Sequence, residues 1–165
     1  MRRIGLLLTL VLVCAGCTRT PDPEPASVPA GFTAWGGGWC AAAFPSQWKE
    51  DAAARVRGGP VVFKGAAGWG FIDSSTESEA RRPDAPLPES LGYYAGTQLR
   101  VTARQAVDVP GADGAFRLRL DGANGRTHLA VYGHDARDSK GCWLVVSPAD
   151  TTAEQVARTL AVGEG

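Results

Sequence analysis

Residues 115–132 read Ala-Phe-Arg-Leu-Arg-Leu-Asp-Gly-Ala-Asn-Gly-Arg-Thr-His-Leu-Ala-Val-Tyr. Apolar and polar side chains alternate with the period of a strand. Phe116, Leu118 and Leu120 fall on one face, and Arg117, Arg119 and Asp121 on the other. Gly122-Ala123-Asn124-Gly125 then predicts a hairpin turn, because an Asn-Gly pair tolerates positive φ. Residues 126–132 predict the returning strand, with Leu129 and Val131 on one face and His128, Ala130 and Tyr132 on the other. Working outward, residues 105–109 predict a strand that enters through a turn at Pro110–Gly114. Residues 133–141 form a charged loop, and residues 141–147 a last strand ended by Pro148. The centre of the chain is thus a meander of three or four antiparallel strands.

Upstream, residues 40–44 predict a short strand ended by Pro45. Val61–Phe63 and Trp69–Asp73 predict a hairpin about Gly65–Gly68. Residues 49–59 read as part of a strand or an irregular entry, and residues 74–86 as a loop. Residues 87–103 predict a helix: Leu87, Leu91, Ala95 and Leu99 recur every four residues, and Pro88 and Glu89 suit its first turn. Thr151-Thr152-Ala153-Glu154 predicts a capping box. It opens a closing helix with Val156, Ala157, Leu160 and Val162 on its apolar stripe.

These elements predict an α+β fold, an antiparallel β-sheet packed by helices. Their order includes Trp39-Cys40, then Phe44-Pro45-Ser46-Gln47-Trp48, and later Cys-Trp-Leu-Val-Val-Ser-Pro at 142–148. Over residues 39–162 this pattern resembles the PsbP-like α-β-α sandwich of extrinsic photosystem proteins and exported bacterial lipoproteins. The resemblance implies a fold and no catalytic residue.

The N-terminal stretch carries a second resemblance. Met1-Arg2-Arg3 precedes an apolar run over residues 4–13, which closes on Cys14-Ala15-Gly16-Cys17. The run has the length of a signal-peptide core and is shorter than the roughly 20 residues of a membrane span. It resembles a bacterial lipoprotein signal with its lipobox, although Cys14 stands where such signals usually carry Leu. The resemblance implies cleavage before Cys17, a palmitate-type acyl chain on Cys17, and a bilayer as partner at the extracytoplasmic face of the cell membrane. Residues 1–16 are then the signal peptide and residues 17–30 the lipidated cysteine with its tether. Residues 31–165 form a single domain. Prolines at 21, 23, 25 and 29 favour extended chain, which suits a spacer.

Loss of Arg2 and Arg3 with the signal leaves 15 basic against 17 acidic residues. That balance, with no basic stripe, gives no pull toward nucleic acid. Arg outnumbers Lys 14 to 3, a bias that fits a GC-rich bacterial genome, and the chain as a whole resembles an actinobacterial lipoprotein. With Cys14 and Cys17 assigned, Cys40 and Cys142 remain as an even pair in an exported domain, which predicts a disulfide.

His128 and His134, near Asp135 and Asp138, are the two histidines. Zinc is the metal they would suit, but an extended chain sets them about 20 Å apart at about 3.3 Å per residue. No Gly-x-Ser-x-Gly elbow surrounds Ser74, Ser75, Ser90 or Ser139. Gly65–Gly70 matches no phosphate-loop pattern. Asp73, Glu77 and Glu79 read as solvated carboxylates. No cofactor or metal is expected. Five tryptophans are a high count for this length, and Trp35 and Trp39, in glycine-rich chain, are the candidate ligand-binding pair. The reading is a non-enzymatic binding or scaffolding module of the cell envelope with an unassigned ligand or envelope protein as partner. The alternative is an envelope enzyme, a metal-assisted hydrolase using His128 and His134.

Overall fold

The computed structural model describes residues 23–54, 59–75, 99–122, 125–135 and 139–163. The expected signal peptide, Cys17, Glu77, Glu79, Ser90, Asp138 and residues 87–98 of the expected helix lie outside them.

Two antiparallel sheets make up the fold. The smaller has the order β1-β2-β10, from β1 (Phe32–Gly37), β2 (Cys40–Pro45) and β10 (Ala161–Val162). The larger has seven strands in the order β3-β4-β5-β9-β8-β7-β6. These are β3 (Lys49–Glu50), β4 (Val61–Gly65), β5 (Gly68–Ser75), β6 (Leu99–Ala106), β7 (Gly114–Gly122), β8 (Thr127–Asp135) and β9 (Lys140–Ser147). A 3-10 turn spans Ala52–Ala54, and α1 spans Thr151–Ala157.

The expected α+β class, with the PsbP-like α-β-α sandwich, is corrected by this architecture. Strands take 57% of the described residues, and α1 is the single α-helix among them. The largest single departure is at Leu99–Ala103, expected as the end of a helix. These residues belong to β6, where Leu99 lies opposite Gly122 and Ala103 opposite Arg119. Leu99 continues the four-residue spacing of Leu87, Leu91 and Ala95. The residues after it, Val101 and Thr102, are β-branched and favour a pleated ladder. A bulge between Val101 and Ala103 interrupts that ladder, and β6 ends at Ala106, short of the expected Val109.

The antiparallel meander is present, with its first strand moved to Leu99–Ala106 and β8 running on through Asp135. Leu118 lies opposite Ala130 across β7–β8, and Val131 opposite Leu144 across β8–β9. Both faces of the central strands are apolar and buried. One face sets Ile72, Leu129, Leu144 and Val146 against Ala42 and Phe44 of β2 and Val156 and Leu160 of the C-terminal segment. The other face carries Phe71, Leu118, Leu120, Tyr132, Trp143 and Val145. Each side chain of this size stabilises by about 1.5–3 kcal/mol when fully buried. Because every neighbour in the sheet is antiparallel, β5 and β6 run in the same direction with three strands between them.

Two local readings change at the closing helix. The N-cap is Asp150, whose carboxylate accepts the Ala153 N–H at 2.9 Å, and Thr151 is already helical. An aspartate one residue upstream takes the cap and its charge also suits the helix N-terminus. The helix stops at Ala157, and Val162 of the expected stripe pairs instead with Cys40 in β10–β2. Thr159 secures the junction. Its buried hydroxyl accepts the Ala43 N–H at 2.7 Å and donates to the Val156 carbonyl at 2.6 Å.

Candidate functional site

Cys40 and Cys142 form a disulfide, with their Cα atoms 5.7 Å apart and 102 residues between them in sequence. Both are fully buried. The bond ties β2 of the small sheet to β9 of the large one. Beside it, the Trp39 indole N–H donates to the Gly141 carbonyl at 3.1 Å. The Lys140 amine lies 5.9 Å from the centre of the Trp39 ring, within the range of a cation–π contact.

Trp35 and Trp39, the candidate binding pair, go to different neighbours. Trp35 is half-buried and meets Phe63 edge-on at 6.2 Å. Phe63 in turn stacks on Phe44 at 4.1 Å. Trp35 thus extends the core between the sheets, whereas Trp39 closes the disulfide end.

His128 and His134 both lie in β8, which runs through Asp135 and takes in part of the expected loop. They share a face, being an even number of residues apart, and stand at opposite ends of the strand, about 20 Å from each other. Among the described residues no group of three or more His, Cys, Asp or Glu is placed to hold a metal. The two imidazoles have different surroundings. His134 stacks on Tyr132 at 5.9 Å. His128 is 1% exposed, and neither ring nitrogen has a hydrogen-bond partner. Loss of hydration drives its pKa below the ordinary 6.5, Arg126 adds to that shift, and Asp121 opposes it. Asp73, on β5, is shifted the other way: burial of its carboxylate raises the pKa above 3.8. A buried polar group without a partner is rare enough in folded proteins to mark a place worth explaining.

The surroundings of His128 lead to a site that no short motif announces. His128 meets the Trp69 ring at 5.7 Å, and Trp69 stacks on Phe71 at 6.2 Å. Trp69 lies opposite Lys64 across β4–β5 and opposite Ser147 across β5–β9. In β8–β9, Leu129 faces Val146, and the next step along the two strands brings His128 beside Ser147. Here the β4–β5 turn, the start of β8 and the end of β9 surround a cavity of about 460 Å³, lined in part by Lys64, Trp69, Arg126, Thr127 and Ser147. Among the described residues, Lys64 and Arg126 are the charged groups that line it. Gly68 permits the close approach of the strands, since a Cβ there would lie 2.4 Å from the Ser147 carbonyl oxygen. Lys64 forms an ion pair with Asp51, which holds that carboxyl below its usual pKa.

Two smaller hollows, of about 120 and 180 Å³, flank the Arg117–Glu154 ion pair beneath α1. Each is lined by both Arg117 and Glu154. No protein-family profile matches the chain, and none of the curated proteins matches it in sequence.

Proposed function

We propose that the chain is a lipid-anchored extracytoplasmic protein whose domain acts as a binding or scaffolding module of the cell envelope. The observation that carries this reading is the buried Cys40–Cys142 disulfide. Bonds of this kind persist in oxidising, extracytoplasmic surroundings, which agrees with the lipobox-like Cys14-Ala15-Gly16-Cys17. The proline-rich stretch that follows supplies a spacer between an acyl anchor on Cys17 and the domain. The enzyme alternative rested on His128 and His134 acting together, and their placement at opposite ends of β8 offers it no shared metal.

The reading is tested by metabolic labelling with an azido-palmitate analogue. Wild-type protein takes up the label and fractionates with membranes, and Cys17→Ala does neither. An unlabelled wild type found in the cytosol with residues 1–16 still attached overturns it.

A further inference from the structure

We propose that the domain meets the bilayer by its disulfide end, the end that carries Trp39, Lys140 and Gly163, held there by the short leash of residues 18–22. This names the membrane-facing surface of the module proposed above and rests on acylation of Cys17. The carrying observation is that the proline-rich segment is part of the domain from Pro23 onward. The Ala26 N–H donates to the Thr159 carbonyl at 2.9 Å. Pro23 sits against Gly163, where an added Cβ would lie 2.5 Å from the proline Cβ. Pro23, Pro25 and Pro29 are half-buried, while Glu24, Ala26, Ser27 and Val28 are exposed. The Phe32 N–H then donates to the Pro29 carbonyl at 3.1 Å, and the Ser46 N–H to the Gly31 carbonyl at 2.9 Å, so the segment enters β1 with its backbone already held.

This docking decides where the chain leaves the domain. β1 begins at Phe32, opposite Pro45, at the far end of the small sheet from Cys40. A free spacer over residues 17–30 would leave from there and reach about 45 Å at about 3.3 Å per residue. Seated beside the C-terminal residues, the segment instead runs back past Thr159 to Gly163. The Gly163 N–H donates to the Trp39 carbonyl at 2.8 Å, and Trp39 adjoins Cys40 and hydrogen-bonds to Gly141. The exit at Pro23 is therefore at the disulfide end. Residues 18–22 separate Cys17 from Pro23, and no conformation of them spans more than about 22 Å. An acyl chain keeps Cys17 at the bilayer surface, so this end stands no farther off than that. The Lys140 amine over the Trp39 ring is a pairing suited to the membrane–water interface. Charges here have both signs: Glu24 follows Pro23, and Asp135 lies opposite Lys140 across β8–β9. The leash, rather than attraction to anionic lipid, then sets the orientation. The β4–β5 turn is at the other end of the larger sheet. β9 begins at Lys140, and Ser147, which faces Trp69, lies about 23 Å along it.

The test is energy transfer from a fluorescent donor on the acylated protein, in phosphatidylcholine vesicles, to rhodamine-labelled phosphatidylethanolamine. The donor is attached to an introduced cysteine, either Ser139→Cys beside Lys140 or Ala66→Cys in the β4–β5 turn. Both positions are exposed, and the disulfide occupies Cys40 and Cys142. Mass spectrometry of the same sample reads the acyl chain on Cys17. Given the separation of the two ends, transfer from position 139 is expected to exceed that from position 66 by about threefold or more. Ten Gly and Ser residues inserted after Asp22 bring the two values together. Ala26→Pro, which removes the donor to Thr159, does the same, and Ala26→Ser leaves the difference intact. The insertion changes no residue from Pro23 onward, so it tests the leash even where Ala26→Pro fails to fold. Replacing a third of the phosphatidylcholine with phosphatidylglycerol changes neither value. Equal transfer from both positions overturns the proposal. So does a difference that survives the insertion, or one that arises only with phosphatidylglycerol. An unacylated Cys17 overturns the functional reading and this proposal with it, whereas an acylated protein with equal transfer overturns this proposal alone.

Discussion

Trp39 donates its indole N–H to the carbonyl of Gly141, and the very next residue on each strand is a half-cystine. A hydrogen bond and a covalent bond thus span the same gap between the two sheets. The covalent member dominates. In the chain-entropy account, a closed loop of about 100 residues stabilises by up to ~4.7 kcal/mol. Paired Cys40→Ala and Cys142→Ala substitutions are expected to lower unfolding free energy by about 2–5 kcal/mol in denaturant titrations. Trp39→Phe, which keeps a ring and loses the donor, is expected to lower it by about 1 kcal/mol. In the native protein, alkylation without reductant leaves the mass unchanged at both cysteines. Free thiols at Cys40 and Cys142 would contradict the bond.

The buried imidazole of His128 makes stability depend on pH. Its folded pKa lies below the ordinary 6.5, so in the window beneath 6.5 the unfolded chain binds more protons than the folded one. Stability is therefore retained above pH 6.5 and declines as pH falls from there toward the folded pKa. Asp73 has the opposite sign. Its raised pKa means that the folded chain binds more protons between 3.8 and that raised value, so stability declines as pH rises through that window. Thermal melts of His128→Leu are expected to gain more, relative to wild type, at pH 5.5 than at pH 8. An equal gain at both values would show that His128 does not titrate differently on unfolding.

Thr159 links the end of α1 to the middle of β2 through one buried hydroxyl. Thr159→Val preserves shape and leaves the Ala43 N–H without its acceptor. Such an orphaned donor costs about 1–3 kcal/mol. Denaturant midpoints fall accordingly with an unchanged slope, and Thr159→Ser, which retains the hydroxyl, recovers most of the loss.

The parts of this fold that were legible in the sequence are those whose information is local. The Asn124-Gly125 turn and the alternation of Phe116, Leu118 and Leu120 specify the β7–β8 hairpin without reference to anything distant. The disulfide was legible because Cys40 and Cys142 are the two cysteines outside the expected lipobox. The small sheet was harder. Residues 40–44 read as a strand, but Phe32–Gly37 carries glycines and no alternation, and its strand character comes from pairing with β2. At Leu99 a helical spacing ran on into residues whose partners on β7 decided otherwise. The sequence places the cap at Thr151, and the structure places it one residue upstream, at Asp150.

The candidate site was the least legible. Trp69, Arg126 and Ser147 lie 57 and 21 residues apart in sequence and meet only because three strand ends converge. Trp35 and Trp39 are close in sequence and look like a pair, yet they are parted by the β1–β2 hairpin. Tryptophan in glycine-rich chain signals a special backbone without saying which way the ring will turn.

The bulged strand β6 has a bearing on how copies of this molecule meet. It is the edge of the larger sheet among the described strands, and a long flat edge invites a stranger's backbone to add to it. Arg100 and Arg104 on this strand and the kink between Val101 and Ala103 make that edge charged and crooked. The opposite edge, β3, is two residues long. Two neighbours meeting along either rim of the larger sheet therefore find little to zip together, through the same irregularity that interrupts the β6–β7 ladder.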